Sequence, residues 1–385
     1  MAKTRPQSPI VTPTRRIPEW SRITLFTRAG GRCEFDGCNK YLLEHHVTLT
    51  EGNFSQFAHI VAFSEDGPRG KGARPSDINN IANLMLLCPG CHKLIDDDPQ
   101  KFTRDTLEGY KRAHEERIHH VTGLGPEQKT TILLIKSRIG NQTVAVPYDQ
   151  ILTATTPRYP LSKPGLTIDL TQLPPNSSSF MGAACDTIRD QLQSLFAPGG
   201  EVTRSNHISL FGLAPIPVLI YLGSQLSNKV PLDVYQRHRD TEDWTWKSSG
   251  ERVTYSFQEL QKGGDASRAI LILSLSGTIP LASLPTDIAK DVAVYELTLA
   301  SGTPNPTFLR TRGDLEEFRN GYQVAIATIA RGHPGIQAID LFPAIPAPIA
   351  VLCGRELLPK VHPALRVYDN DRSQGGFQYQ CTINP

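Results

Sequence analysis

The chain has 385 residues, 39% hydrophobic and 20% charged, which is ordinary for a globular protein and enough for two or three domains with cores of their own. A formal net charge of +2 excludes a polybasic protein, so any nucleic-acid surface must be local. Seven cysteines are too few for a disulfide scaffold, no secretory h-region is visible, and no apolar run reaches the ~18–20 residues of a membrane helix, so a cytoplasmic protein without membrane contact is expected.

Residues 1–17, rich in Pro, Arg and Thr, read as a flexible basic arm. A helix is predicted from about residue 18 to 28, ended by Gly30 and Gly31. A loop-rich region bounded by cysteines runs to about Asp98. It precedes an amphipathic helix capped by Thr103, with Leu107, Tyr110, His114 and Ile118 on one face. Residues 122–130 read as a linker. Beyond it, short apolar runs alternate with helical segments. Residues 132–135, 218–222, 232–235, 269–275, 292–297 and 349–352 read as buried strands, and 180–196 and 315–330 as helices. That alternation predicts α/β packing with parallel sheets.

The second region also carries an internal duplication. Residues 208–223 align without a gap on 339–354, with six identical positions. At an offset of 133, Val234-Tyr235 meets Val367-Tyr368, Arg239 meets Arg372, and Trp244-x-Trp246 meets Phe377-x-Tyr379. The apolar runs 132–135 and 270–273 fit the same scheme. Two copies of one α/β unit are expected, about 131–265 and 268–385.

In the first region, Cys33-x4-Cys38 and Cys88-x2-Cys91 form two close pairs. Paired cysteines on tight knuckles place four thiolates around one tetrahedral zinc, a staple that a small loop-rich domain needs. Between and after the pairs stand His59, Asn83 and His92. The stretches Ala58-His59-Ile60-Val61, Ile81-Ala82-Asn83-Leu84-Met85-Leu86-Leu87-Cys88 and Cys91-His92-Lys93-Leu94-Ile95-Asp96 resemble the HNH (ββα-metal) endonucleases over roughly residues 30–118. Phosphodiester hydrolysis needs an activated water, a charge sink and help for the leaving oxygen. A neutral imidazole takes the water's proton, and one divalent cation supplies the rest. The resemblance implies His59 as general base on a β-hairpin. It implies Asn83 as the residue that orients the hairpin or touches the metal, and His92 at the start of a helix. Asn83 and His92 would then stand at a catalytic Mg²⁺. Many members carry an acidic metal ligand immediately before the first histidine, where this chain has Ala58, so Asp66 and Asp96 are the candidates to replace it. Arg69, Lys71 and Arg74 are candidates for DNA phosphates.

In the duplicated region, ligands are expected at the carboxyl ends of strands. Ser274 and Ser276 follow one strand there, as Lys136-Ser137-Arg138 follow its counterpart. Trp244, Trp246, Phe377 and Tyr379 are candidates to stack on bases, Arg237, Arg239 and Arg372 to pair with phosphates or Hoogsteen edges, and Tyr368 is a further ligand-binding candidate. The run Val234-Tyr-Gln-Arg-His-Arg239 followed by Trp244-Thr-Trp246 is similar to the SAVED pattern, and the layout resembles the HNH–SAVED effectors of CBASS anti-phage systems. That resemblance implies an α+β zinc-knuckle ββα-metal (HNH) domain over 18–121, then an α/β SAVED domain of two CARF/Rossmann-like repeats over 131–385. It also implies a cyclic di- or oligonucleotide activator (cGAMP-like) and a homo-dimer that forms a higher homo-oligomer on activation. The implied outcome is non-specific cleavage of double-stranded DNA in abortive defence. The rivals are a sequence-specific restriction-type HNH nuclease and a non-catalytic zinc-binding adaptor that senses a nucleotide.

Overall fold

The computed structural model describes residues 15–138, 145–174, 177–226, 228, 230–371 and 374–384. The chain divides into two units, Met1–Leu124 and Gly125–Pro385.

The first unit contains α1 (Glu19–Ala29), β1 (Gln56–His59), β2 (Leu84–Leu87), α2 (Pro89–Asp97) and α3 (Arg104–Thr122). Helix α1 stops where Gly30 turns left-handed at φ 61° and its N–H reaches back to the Phe26 and Thr27 carbonyls. Helix α3 starts on Thr103, whose hydroxyl accepts from the Thr106 N–H. Strands β1 and β2 pair antiparallel, with His59 opposite Leu84. All four residues of β2 are buried, which places this strand in the middle of a small core with Leu25, Leu42, Ile60, Ile95, Phe102 and Leu107. One carboxylate lies inside that core. Glu34 Oε2 accepts from the Leu86 N–H at 2.6 Å, with Lys111 Nζ 3.8 Å from Oε1, and burial raises its pKa to about 7.

The second unit opens with β3 (Lys129–Lys136), α4 (Tyr148–Thr155), β4 (Tyr159–Pro160), β5 (Leu166–Asp169), α5 (Phe180–Phe196), α6 (Glu201–Ser205), β6 (Ile208–Leu213), α7 (Ile216–Leu226) and β7 (Leu232–Tyr235). It continues with β8 (Tyr255–Gln261), β9 (Arg268–Ser274), α8 (Thr286–Ala289), β10 (Ala293–Leu299), α9 (Arg312–Gly332), β11 (Ala338–Ala344), α10 (Ala347–Arg355), β12 (Ala364–Asp371) and β13 (Gly376–Ile383). In the first sheet β5, β3, β6 and β7 run parallel in that order, and β4 also pairs with the start of β3. In the second, β10, β9, β11 and β12 run parallel in that order, between antiparallel edges β8 and β13.

Matching strands take matching places, so the duplication seen in the sequence is a duplication of structure. The side chains repeat it. Tyr235 stacks on Phe211 with ring centroids 4.5 Å apart, and Trp244 meets Phe211 edge-on at 5.2 Å. In the other copy Tyr368 stacks on Phe342 at 4.6 Å, and Phe377 meets Phe342 edge-on at 5.0 Å. Helices α7 and α10 pack against each other reciprocally. A Cβ on Gly223 would collide with the Val351 carbonyl oxygen, and one on Gly354 with the Ile220 carbonyl oxygen. Only glycine permits both approaches.

The runs 218–222 and 349–352 are corrected by the fold: they are the centres of helices α7 and α10, not strands. Both helices are buried on nearly every side, so their apolar runs carry no 3.6-residue period, and a short run of that kind has no strand signature of its own. A proline fits a first helical turn, where the missing N–H costs nothing, and Pro348 stands there in α10. Helices α5 and α9 and strands β3, β7, β9 and β10 lie where the sequence placed them.

Candidate functional site

The ligand sulfurs of Cys33, Cys38, Cys88 and Cys91 all lie within 4.8 Å of one another. Two knuckles bring them there. Cys38 N–H closes on the Phe35 carbonyl through Gly37 at φ 77°, and Cys88 caps α2, its sulfur accepting from the Cys91 N–H. A tetrahedron with Zn–S bonds of about 2.3 Å has sulfurs about 3.8 Å apart; Cys38 and Cys88 are 4.0 Å apart. Burial pushes the Cys33 thiol up to about 12, a cost that a divalent cation among the four sulfurs reverses. The donor set and its spacing fit one structural zinc.

His59 ends β1, in the same hairpin-and-helix unit as this cluster. Its Nε2 lies 3.0 Å from Asn79 Oδ1. A carbonyl oxygen only accepts, so the tautomer of the neutral ring that fits this contact has its proton on Nε2 and its lone pair on Nδ1. Asn83 is buried, and its amide is fully engaged with backbone. Its Oδ1 accepts from the Val61 N–H at 2.9 Å, and its Nδ2 donates to the Val61 and Ile78 carbonyls at 3.0 and 2.9 Å. These bonds hold the chain that leaves β1 directly after His59. Among the described residues no hydrogen bond joins Asn83 to His92.

His92 stands in the first turn of α2. Its Nδ1 is 2.6 Å from Gln56 Oε1 on β1, and its Nε2 is 3.4 Å from Asp96 Oδ2, one helical turn on. Of the two carboxylates left open by Ala58, Asp96 is the one found at His92. Arg69 does not face solvent. Its guanidinium donates to the Ile60 and Ile95 carbonyls at 2.7 and 2.6 Å and to Asp96 at 3.1 Å. Arg74 donates to the carbonyls of Gly70, Ala62 and Phe63. Both were candidates for DNA phosphates, and both instead brace the loop after β1, because carbonyls left over by an irregular segment need donors.

The sensor candidates are scattered. Ser274 is fully buried and its Oγ accepts from the Ile279 N–H at 3.2 Å. Trp244 and Tyr368 belong to the aromatic clusters already described, and both are buried. Trp246 donates from Nε1 to the Val234 carbonyl at 3.2 Å. Arg237 donates to Gln150 and to the Glu242 carbonyl, at 3.3 and 2.7 Å. Arg239 is exposed and Ser276 is half-buried. Arg372 lies outside the described residues.

Comparison with known proteins then places the chain. Residues 188–383, just over half of it, match the SMODS-associated and fused to various effectors sensor domain, SAVED. The chain belongs to the SAVED family. Residues 33–98 match the HNH endonuclease family, so an HNH endonuclease domain precedes the SAVED domain. Among solved structures, the Acinetobacter baumannii Cap4 SAVED/CARF-domain containing receptor with the cyclic trinucleotide 2'3'3'-cAAA is 14% identical at TM-score 0.44, covering 80% of this chain and 65% of that one. The Moraxella osloensis Cap4 SAVED/CARF-domain containing receptor is 12% identical at TM-score 0.38, covering 76% and 60%. This chain therefore spans less than two thirds of the length of those receptors. No curated protein matches it. No described helix is long and apolar enough to cross a membrane.

Sequence reasoning missed Asn79 and did not single out Gln236 or His238. Asn79 was passed over because an Asn-Asn pair in a loop signals a turn first. In the SAVED region, Ser137 Oγ, Gln236 Oε1 and His238 Nε2 are buried without partners at the ends of β3 and β7. Ser137 was named for its place directly after a parallel strand, and Gln236 and His238 stood only within the run Val234–Arg239.

Proposed function

We propose that this protein is a metal-dependent DNA endonuclease whose HNH domain is held idle until a cyclic di- or oligonucleotide occupies the SAVED domain. The observation that carries the catalytic half is His59 at the end of the hairpin with its Nε2–H committed to Asn79. That bond leaves Nδ1 as the base that takes a proton from the attacking water. Asn83 fixes the backbone on which His59 sits. Gln56 Oε1 accepts from His92 Nδ1 and so sets the ring with Nε2 facing Asp96. His92 and Asp96, an imidazole and a carboxylate on one face of α2, would hold the divalent cation, with Mg²⁺ the ion suited to oxygen-rich sites. When bound, it supplies charge neutralisation at the scissile phosphate and at the leaving oxygen. The four cysteines hold zinc and keep the hairpin and α2 together.

The gating half rests on the SAVED assignment and on an argument from consequence. A nuclease that cuts double-stranded DNA without sequence preference destroys its own host unless something restrains it. By linkage, the activator binds the active assembly more tightly than the idle one. A homo-dimer that grows into a higher oligomer, acting in the cytoplasm as an abortive anti-phage response, completes this reading. Supercoiled-plasmid cleavage with Mg²⁺, with and without a panel of cyclic di- and trinucleotides, tests it. One nucleotide should switch cleavage on, and His59→Ala should lower the rate by about 10²–10⁴-fold at unchanged zinc content. Cutting with no nucleotide present would remove the gate from this account.

A further inference from the structure

If Arg69 and Arg74 brace a loop, other cations must meet the duplex beside His59. Two candidates lie on the right face. Side chains alternate along a strand, so Phe57 and His59 share one face of β1. Over Phe57 lies the Arg22 guanidinium of α1, with Cζ 5.0 Å from the ring centroid. Beyond His59, the Phe63 ring meets the imidazole edge-on at 6.3 Å, and Arg15 lies over Phe63 at 5.6 Å. The order across the surface is Arg22, Phe57, His59, Phe63, Arg15. A guanidinium stands on an aromatic ring at each end, with the base between them.

Both cations are exposed, and neither forms an ion pair with a described carboxylate. That separates them from Arg69 and Arg74, whose guanidiniums are occupied by the protein itself. An aromatic ring beneath a guanidinium fixes its plane and leaves its N–H edge free for phosphate oxygens. Arg22 is also held from behind. Phe26, one turn on, meets Phe57 edge-on at 5.6 Å, so α1 is seated on the strand that carries His59. A shallow depression of about 470 Å³ on this helix is lined by Arg16, Ile17, Glu19, Arg22, Ile23 and Phe26. Glu19 is the one acidic group in that lining, and it forms no ion pair with Arg22.

We propose that Arg15 and Arg22 grip the DNA backbone on either side of the phosphodiester attacked at His59. The proposal rests on the endonuclease reading for its chemistry and on the ring-mounted guanidiniums for its geometry. Backbone contacts of this kind position a duplex without reading its sequence, which suits an enzyme lacking base preference.

The test separates binding from cutting. In a full-length His59→Ala background, binding of a fluorescent DNA duplex is measured from low to high salt, with and without the nucleotides of the cleavage panel. Adding Arg15→Gln and Arg22→Gln together should weaken binding about tenfold. It should also flatten the log–log salt slope by about 1.8, or about 0.9 for each phosphate no longer neutralised. Arg22→Lys should recover the slope for its own phosphate, and the exposed Lys101→Gln should leave the slope unchanged. In the His59 enzyme, the double Gln variant should raise KM for plasmid with little change in kcat. An unchanged slope with cleavage intact overturns the proposal and spares the endonuclease. A flattened slope in a protein that never cuts supports the grip and removes the nuclease.

Discussion

The HNH unit and the SAVED unit hold themselves together by different means. The first has a two-stranded sheet of four-residue strands and a core of about a dozen apolar side chains, and it converges four cysteines on one point. The second has two parallel sheets, a far larger apolar core and the glycine crossing of α7 and α10. Size explains the contrast. A small domain buries too little apolar surface to offset chain entropy and adds a metal, whereas a domain of more than 200 residues does not need one. The HNH unit thus offers four converging thiolates where the SAVED unit offers packing.

The largest expected effect breaks that comparison in one unit alone. Removing zinc with a strong chelator, or Cys88→Ser, should unfold the HNH unit outright, since structural zinc contributes about 10 kcal/mol or more of folding free energy. Hydrogen exchange read by mass spectrometry should show protection lost across 33–98 and kept across 188–383. Equal loss in both would refute the division.

The next effect breaks the other unit. Gly354→Ala puts a methyl group into the Ile220 carbonyl, and Gly223→Ala puts one into that of Val351. Each should cost about 3 kcal/mol, since a backbone oxygen gives way only if two helices separate. Thermal unfolding should fall for the SAVED unit while zinc content and HNH protection stay as they were.

The smallest effect sharpens the contrast through pH. Burial holds Glu34 at about 7, above its ordinary 4.5. Its contribution to the HNH unit is full below about pH 4.5 and is lost as pH rises through 7, because only the folded state keeps the proton between those values. Burial, with Arg158 adding to it, holds His207 at about 4, below its ordinary 6.5. Its contribution to the SAVED unit is full above about pH 6.5 and is lost as pH falls through 4. Each shift corresponds to roughly 2 kcal/mol between pH 5 and 7. Between pH 5 and 7 the two units should therefore drift in opposite directions. Glu34→Gln should flatten the first slope and His207→Gln the second, as followed by unit-resolved hydrogen exchange. Parallel slopes in the parent protein would contradict the burial of one of the two groups.

Much of this was legible in the sequence. Cysteine spacing carries a metal geometry within it, and the order His59, Asn83, His92 carries a hairpin and a helix. The duplication was visible because buried aromatics at matched offsets resist drift. What sequence left hidden was direction. Nothing in Val218–Leu222 or its counterpart says that the backbone coils, since a segment buried all round shows no polar stripe. Nothing in Trp244 or Tyr368 says that the ring faces Phe211 or Phe342 instead of a pocket. Arg69 was misjudged in the same way. Its charge suggested an anion outside, while the carbonyls of an irregular loop were waiting inside.

The paired copies have a consequence for how this sensor can evolve. In a homodimer of identical chains, every substitution appears on both sides of the axis. Here the axis runs through one gene, so the copies diverge independently as long as the α7–α10 crossing survives. Ser137 and Leu275 show the freedom in use: each makes the same backbone bond at the end of its strand, to Leu213 and to Ala344. One presents a buried hydroxyl without a partner and the other a fully buried aliphatic chain. On the proposed function, such a sensor is released from having to recognise a symmetric molecule.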